Sequence, residues 1–189
     1  MNSETNILNI KEPILINDIL PPQENIELLK HLCTRDFKIQ HEDQGGLESK
    51  FKSGILNNYQ HVGFALLTKD ISIPDLHTHP EDPLFVWARI VTSTIVWKLK
   101  NESYKNVTRI HYNYYYKDQQ GVGHQDSLEN NFISILYNPH TTDGGTEILG
   151  KFYPDKMGQA KIFKSNWDHK GICVKQDKAR ASLNIILEY

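Results

Sequence analysis

Three side chains in the second half of the chain could together bind one metal ion. His124 and Asp126 are separated by one residue, and on an extended segment such residues point to the same side. A histidine from another strand, for which His169 is well placed, would complete a set of two imidazoles and one carboxylate. These ligands occupy one face of an octahedron and leave three positions open for substrate and dioxygen. The pattern therefore indicates a metal centre built from nitrogen and oxygen ligands.

The His-x-Asp spacing by itself is a weak signal, because short motifs match by chance. His41 and Asp43 repeat it, and His79 and Glu81 form a variant with a longer carboxylate. Position in the chain favours His124, which follows a long strand-like segment and precedes a further histidine, an arginine and several more strands. We therefore expect the metal site to begin at His124.

A basic residue further along the chain could anchor a small acid beside this metal. Arg180 carries a planar guanidinium that can hold a carboxylate in a two-pronged contact, and Ser182 adds a hydroxyl from the same side of the strand. A dicarboxylic keto acid held in this way could chelate the metal through its other end. The pair therefore predicts a binding site for such an acid.

From residue 106 onward the sequence is typical of a β-rich fold. Short segments rich in β-branched and aromatic residues alternate with turn signals such as Asp143-Gly144-Gly145. This succession of short strands and turns predicts a sandwich or jelly roll that would carry the site residues. The predicted strands are Val107–Tyr116, Phe132–Tyr137, Thr146–Leu149, Ala160–Phe163, Ile172–Val174 and Ala181–Glu188.

The first half of the chain predicts one early strand and two helices. The apolar block Ile14–Ile16 predicts the strand, and apolar residues at near-helical spacing after Pro21-Pro22 predict the first helix. A second helix is predicted over Pro83–Leu99, although its β-branched residues also favour strands. Between residues 35 and 69 the pattern is weaker, and short strands separated by turns are expected.

Composition suits one globular domain. The chain has 189 residues, 39% of them hydrophobic, which is enough apolar material for one core and excludes disorder over most of the chain. The formal net charge is −2 and the basic residues are scattered, so a basic field for nucleic acid has no support. Two cysteines are too few for a disulfide scaffold or a thiolate zinc site. The first residues lack the features of a signal peptide and no segment is long enough to span a membrane, so we expect a cytoplasmic protein.

Taken in order along the chain, the candidate site residues resemble a known family. His124-x-Asp126, Gly144-Gly145-Thr146-Glu147, His169 and Arg180-x-Ser182 are similar to the ordered set of the 2-oxoglutarate- and Fe(II)-dependent oxygenases, especially their prolyl-hydroxylase-like branch. The segment Ile16-Asn17-Asp18-Ile19-Leu20 and the helix after it also look like the start of that branch, so the resemblance covers nearly the whole chain. It implies a mainly β fold with flanking α-helices, a double-stranded β-helix, which is a distorted, cupin-like jelly roll.

The resemblance also implies how the single domain, residues 1–189, is organised. Residues 1–105 would form a supporting region of helices and strands, and residues 106–189 the jelly-roll catalytic core. In such folds the loops and the N-terminal half set substrate identity, and here the segments 35–69 and 70–82 carry no recognisable motif.

Roles for the site residues follow from the resemblance. It implies that His124, Asp126 and His169 bind Fe(II), and that Arg180 and Ser182 bind the C5 carboxylate of 2-oxoglutarate. With O2 as a further cosubstrate, and ascorbate as an optional cofactor, such an enzyme hydroxylates a C–H bond and releases succinate and CO2. The substrate class it implies is a peptide side chain or a small molecule.

The family usually has a tyrosine for the cosubstrate on the strand before the first histidine, where this chain has both Tyr114 and Tyr115. Alternation places Tyr115 beside Asn113 on a polar face with one aromatic residue, and Tyr114 on the opposite, more aromatic face. The polar face suits a wet cosubstrate pocket better, so Tyr115 and Asn113 are predicted to contact 2-oxoglutarate. A β-bulge would reverse this choice.

Two other functions remain open from the sequence. Asn113-x-Tyr115 and His124-x-Asp126 also resemble the branch that demethylates alkylated nucleic acids, but Ile186 stands where that branch has a second arginine. A non-catalytic jelly-roll module that binds a ligand or partner is the second alternative, and a solvent-exposed Arg180 would favour it. Neither nucleic acid nor a membrane is expected as a partner, and the sequence does not indicate an oligomeric state.

Overall fold

The computed structural model describes residues 7–33, 62–68, 83–100, 103–117, 121–177 and 179–189, and for 62–68 it describes the backbone. The helical elements in this part of the chain are a 3-10 turn (Ile7–Asn9), α1 (Pro22–Cys33) and α2 (Pro83–Leu99). The strands are β1 (Ile14–Ile16), β2 (Val62–Thr68), β3 (Asn106–Tyr116), β4 (Phe132–Asn138), β5 (Gly145–Ile148), β6 (Lys151–Pro154), β7 (Gln159–Lys164), β8 (His169–Ile172) and β9 (Ala179–Glu188).

Both predicted helices are confirmed, and each buries one apolar side. α1 starts at a proline pair, and the backbone N–H of Asn25 donates to the carbonyl of Pro21 across its first turn (3.1 Å). α2 is helical despite the strand preference of its β-branched residues. A helix places residues three or four apart on one side, and the buried residues of α2 follow this spacing. Its buried residues are Leu84, Ala88, Val91, Thr92, Ile95 and Val96. Neither described helix is long and apolar enough to cross a membrane.

A large antiparallel sheet forms the middle of the structure. Its described strands follow the order β1-β7-β4-β9-β3-β2, so that β9 lies between β4 and β3. The register places Arg180 of β9 opposite Tyr115 of β3, and Ser182 opposite Asn113. β1 and β2 come from the first half of the chain, and both pair with strands from the second half. The two halves therefore share one sheet.

A smaller sheet contains the described strands β6, β5 and β8 in that order. β5 and β6 are joined by Leu149-Gly150, and both residues have positive φ, 50° and 77°. A two-residue turn of this kind matches the twist of a hairpin, and it ends β5 one residue before the predicted end. At Gly145 a Cβ atom would lie 2.5 Å from the Phe152 ring and from the Tyr153 carbonyl oxygen, so the strands approach each other closely at this glycine.

The large sheet has two different faces. One packs against both helices in the main hydrophobic core, with alternate residues of β4 and β9 such as Ile135 and Leu183. The opposite face points toward the small sheet, where Leu136 and Phe163 pack with Ile148 of β5 in a second cluster. The rest of this second face is rich in buried polar side chains: His111, Asn113, Ser134, Asn138, Lys161, Arg180, Ser182 and Asn184.

Two strands of the small sheet differ from the sequence prediction. The segment Lys151–Pro154 forms β6, which was not predicted because most of its side chains are exposed and show no apolar alternation. β8 spans His169–Ile172 instead of Ile172–Val174. Its buried positions hold His169 and Gly171, so the strand shows no apolar alternation in the sequence.

Ile135 lies at the middle of β4 with no exposed surface, so its replacement tests the helix-facing core. Ile135→Ala should lower the free energy of unfolding by about 2–5 kcal/mol, because it removes buried methyl groups and leaves a cavity. Urea denaturation measures the change. Val86→Ala on the exposed side of α2 is the control and should change stability by about 0.5 kcal/mol or less. Equal effects of the two substitutions would contradict this assignment of the core.

Candidate metal centre and acid-binding pocket

The structure brings together the three residues predicted to bind a metal. His124 and Asp126 lie in the segment between β3 and β4, and His169 is the first residue of β8. The Asp126 carboxylate oxygens lie 3.7 Å from His124 Nε2 and 3.5 Å from His169 Nε2. One ligand atom from each residue can be chosen so that all three lie within 4.8 Å of one another.

The backbone sets the separation of the two histidines. His124 and His169 form an isolated antiparallel bridge, in which each backbone N–H donates to the other residue's carbonyl (2.9 and 3.0 Å). The backbone N–H of Asp126 donates to the carbonyl of Ser165 (2.8 Å). Because these bonds join the segment before β4 to the segment around β8, all three side chains start from one hydrogen-bonded frame.

Hydrogen bonds to backbone carbonyls orient both imidazoles. Nδ1 of His124 lies 2.8 Å from the Val122 carbonyl, and Nδ1 of His169 lies 3.0 Å from the Trp167 carbonyl. A carbonyl accepts, so each Nδ1 carries the proton, and each Nε2 then has a lone pair on the side of Asp126. Burial lowers the pKa of His169, which favours the neutral form that a metal requires.

Hydrogen bonds also fix the Asp126 carboxylate. It accepts from Ser134 Oγ (2.6 Å), from Arg109 Nη1 (3.2 Å) and from Asn184 Nδ2 (3.3 and 3.4 Å). Burial alone would raise the pKa of Asp126, but interactions with the protonated forms of His124 and His169 and with the charged Arg109 guanidinium outweigh it and hold the pKa well below its usual value. The carboxylate is therefore ionised and oriented.

This donor set fits one divalent first-row metal ion. Two ligand atoms that each lie about 2.1 Å from an ion can be at most about 4.2 Å apart. The distance from each imidazole to its nearer Asp126 oxygen meets this limit, and the whole set lies within 4.8 Å, so a small side-chain adjustment would bring all three ligand atoms onto one ion. Two neutral imidazoles and one carboxylate suit Fe(II), and the hydrogen bonds behind each ligand are typical of metal sites.

A pocket extends from the metal residues into the space between the two sheets. The empty space, including the open mouth, is about 360 Å³. The lining residues are Arg109, Asn113, Tyr115, His124, Leu136, Thr146, His169, Gly171, Arg180, Ser182 and Asn184. All four residues that the resemblance assigns to 2-oxoglutarate are in this list.

Arg180 is almost fully buried, with 1% of its surface exposed. Its Nε and Nη2 atoms donate to the Asp155 carboxylate (2.5 and 3.3 Å), Nη2 also donates to Thr146 Oγ1 (2.9 Å), and the guanidinium carbon lies 5.2 Å from the centre of the Tyr115 ring. The Nε–Nη2 edge of the guanidinium, which could bind a ligand carboxylate through two hydrogen bonds, is thus already bonded to Asp155. In the described part of the chain no residue accepts from Nη1, which remains for a ligand.

The remaining predicted contacts lie on the strands beside Arg180. Ser182 is fully buried, and its hydroxyl has no hydrogen-bond partner among the described residues. Tyr115 lines the pocket, whereas Tyr114 packs against the helix-facing core. The bulge between β3 and β9 falls between Val107 and Arg109, before this region, so it does not reverse the alternation. A buried hydroxyl without a partner, beside a guanidinium, fits a bound carboxylate.

Sequence reasoning missed two charged residues behind Arg180. Asp155 follows β6 and Lys161 lies in β7, and Lys161 Nζ donates to Asp155 Oδ1 (3.0 Å). Burial alone would raise the pKa of Asp155, but the charges of Arg180 and Lys161 outweigh it and lower the pKa to about 2. The one available signal is Lys161 itself, a lysine flanked by apolar residues within a predicted strand.

The candidate pairs around His41 and His79 lie outside the described residues.

Known protein structures share this architecture. A prolyl-4-hydroxylase from Pseudomonas putida superposes with a TM-score of 0.59 at 12% identity, over 94% of this chain and 93% of that one. For a prolyl hydroxylase from Trichoplax adhaerens, in complex with a hypoxia-inducible-factor peptide, the TM-score is 0.62 at 13% identity over 99% and 88%. The fold is that of the 2-oxoglutarate- and Fe(II)-dependent oxygenases. The predicted double-stranded β-helix is confirmed.

A third similar structure carries ligands of the expected kinds. HygX from Streptomyces hygroscopicus, with nickel and 2-oxoglutarate bound, has a TM-score of 0.68 at 7% identity, over 100% of this chain and 87% of that one. No protein-family model matches the sequence, and comparison with curated protein sequences finds no match either. The likeness to this oxygenase fold therefore rests on structure.

The depressed pKa of Asp155 predicts a component of acid sensitivity. Because the folded pKa, about 2, lies below the usual unfolded value of about 3.9, ionised Asp155 stabilises the fold above that value, and the stabilisation is lost as the pH falls toward 2. In urea denaturation the wild-type protein should therefore lose its stability advantage over Asp155→Asn as the pH falls from about 5 to about 2. Glu129→Gln, an exposed change, is the control and should follow the wild-type curve. A constant difference between wild type and Asp155→Asn would contradict the prediction.

Proposed function

We propose that this protein is a 2-oxoglutarate- and Fe(II)-dependent oxygenase that hydroxylates a C–H bond of a peptide side chain or a small molecule. 2-Oxoglutarate and O2 would be the cosubstrates, and succinate and CO2 the co-products. The observation that carries the proposal is one pocket with two complementary ends: the His124, Asp126 and His169 ligand set at one end and Arg180 with Ser182 at the other.

The metal end of the pocket would hold Fe(II) through Nε2 of His124, Nε2 of His169 and the Asp126 carboxylate. When bound, the iron supplies the oxidising chemistry that couples decarboxylation of the keto acid to C–H hydroxylation. The protein's own contribution here is orientation. Ser134 and Asn184 hold the carboxylate, and the backbone bridge holds the two imidazoles, before any metal arrives.

At the opposite end of the pocket from the metal residues, Arg180 Nη1 and Ser182 Oγ would donate to the C5 carboxylate of 2-oxoglutarate, with Tyr115 and Asn113 as neighbouring contacts. A carboxylate at this position would satisfy the buried Ser182 hydroxyl, which no described residue does. Leu136 and the Phe163 side chain beside His169 give the pocket an apolar wall that limits water around the reacting groups.

Structural details weigh against the two alternative functions. The position where a nucleic-acid demethylase would have its second arginine holds Ile186, which is 5% exposed. A ligand-binding module without catalysis would be favoured by an exposed Arg180, and this arginine is only 1% exposed. The oxygenase proposal agrees with both observations. A peptide substrate is one option within it, since one similar prolyl hydroxylase is seen with a peptide.

Replacing His124 tests the oxygenase chemistry. His124→Ala should abolish succinate formation from 2-oxoglutarate in the presence of Fe(II) and O2, and should weaken Fe(II) binding, because it removes one of three protein ligands. Succinate is measured by mass spectrometry and metal binding by calorimetry under nitrogen. The matched control, His31→Ala on α1, should keep both properties. Unchanged succinate formation in His124→Ala would overturn the proposed function.

The two adjacent tyrosines offer a paired test of the cosubstrate contacts. Tyr115→Phe should weaken 2-oxoglutarate binding by about tenfold, which corresponds to one hydrogen bond to a charged group. Tyr114→Phe removes a hydroxyl from the opposite side of the strand and should leave the affinity unchanged. Calorimetric titration of the zinc-loaded protein measures both. A larger loss in Tyr114→Phe would show that the polar face of β3 is not the cosubstrate face.

A further inference from the structure

Three charged side chains form a buried cluster at the Arg180 end of the pocket. Arg180, Asp155 and Lys161 are 1%, 2% and 0% exposed. Asp155 Oδ1 accepts from both cations, from Lys161 Nζ at 3.0 Å and from Arg180 Nη2 at 3.3 Å. Lys161 Nζ also donates to Asn138 Oδ1 at 2.5 Å. Lys161 is absent from the pocket wall, so it meets a ligand only through Asp155 and Arg180.

The charges in this cluster do not balance. Two cations face one carboxylate, and the other polar neighbours, Asn138 and Thr142, are neutral. Burial lowers the pKa of Lys161, while the charge of Asp155 and its hydrogen bond oppose this shift and favour the ammonium form. Burial lowers the pKa of the adjacent His140, which keeps this imidazole neutral at pH 7. Within the described part of the chain the cluster therefore carries a net charge of about +1. A buried charge of this kind is costly unless an anion pairs with it.

The imbalance determines what Arg180 can do. If Arg180 and Asp155 were alone, they would form a neutral pair with little attraction for a further carboxylate. Lys161 also pairs with Asp155, outside the pocket wall, and its positive charge offsets the negative charge of Asp155. Arg180 Nη1 then presents an uncompensated positive charge to the pocket, next to the unpartnered hydroxyl of Ser182.

We propose that Lys161 is a positioning residue that supplies the net positive charge of the cosubstrate anchor. This rests on the proposed function, because the ligand in question is 2-oxoglutarate. Asp155 acts as the link, since it orients Arg180 by two hydrogen bonds while Lys161 cancels its charge.

The first test replaces Lys161 by a side chain of similar length without charge. Lys161→Met leaves Arg180 and Asp155 as a paired, neutral couple, so no buried charge is left alone. Calorimetric titration of zinc-loaded protein with 2-oxoglutarate should show an affinity about tenfold lower than wild type, because one unit charge near the anchor has been removed. Lys164→Met is the matched control, since it removes a lysine from the same strand but the opposite face of the sheet, and it should bind like wild type.

A second variant separates charge from structural damage. In the double variant Asp155→Asn with Lys161→Met, Arg180 alone remains charged, so the cluster returns to a net charge of about +1 while the introduced asparagine can still accept from Arg180. The double variant should recover most of the wild-type affinity. Damage to the pocket by the first substitution would not be repaired by a second substitution in the same cluster. Thermal unfolding confirms that each variant is folded, and Lys161→Gln replaces Lys161→Met should the latter not fold.

The outcomes distinguish this inference from the proposed function. Wild-type affinity in Lys161→Met, or a double variant as weak as the single one, overturns the role of Lys161 and leaves the oxygenase proposal standing. A wild-type protein that does not bind 2-oxoglutarate overturns both. Loss in the single variant with recovery in the double variant supports the charge balance.

Discussion

The register of β9 between its two neighbours is the constraint on which the rest of this structure depends. Arg180 pairs with Tyr115 and Ser182 with Asn113, so the side chains of the acid-binding end share one side of the sheet. On the same strand Asn184 donates to the Asp126 carboxylate, the candidate metal ligand. A slip of one residue would turn all of these groups into the helix-facing core and bring leucine and isoleucine into the pocket.

The two faces of the large sheet divide stability and chemistry between them. The helix-facing side is a continuous apolar core, which favours this one register, since each alternate residue of β4 and β9 must be buried there. The opposite side can then hold buried polar groups that a small protein would otherwise leave at the surface. Most of them are paired within the fold, such as Ser134 with Asp126 and Lys161 with Asp155. The Ser182 hydroxyl, which has no described partner, points to the space left for a ligand.

Features that depend on local pattern could be predicted from the sequence. Alternation in β3 distinguishes Tyr115, which lines the pocket, from Tyr114, which does not. The order of His124, Asp126 and His169 along the chain predicts the cluster that these residues form. β8 escaped prediction because its inward positions hold a histidine and a glycine. The contact of Asp155 with Arg180 escaped because the two residues are far apart in sequence and meet only when the small sheet folds over the large one. Segments 35–61 and 69–82, expected to influence substrate choice, lie outside the described residues.

The reciprocal backbone bonds of His124 and His169 have a consequence for how the centre is loaded. Since each of these residues holds the other's peptide group, the spacing of their backbones is set by hydrogen bonds within the chain. An ion bound by these side chains under the proposed function would therefore cost little ordering entropy in the backbone that carries them.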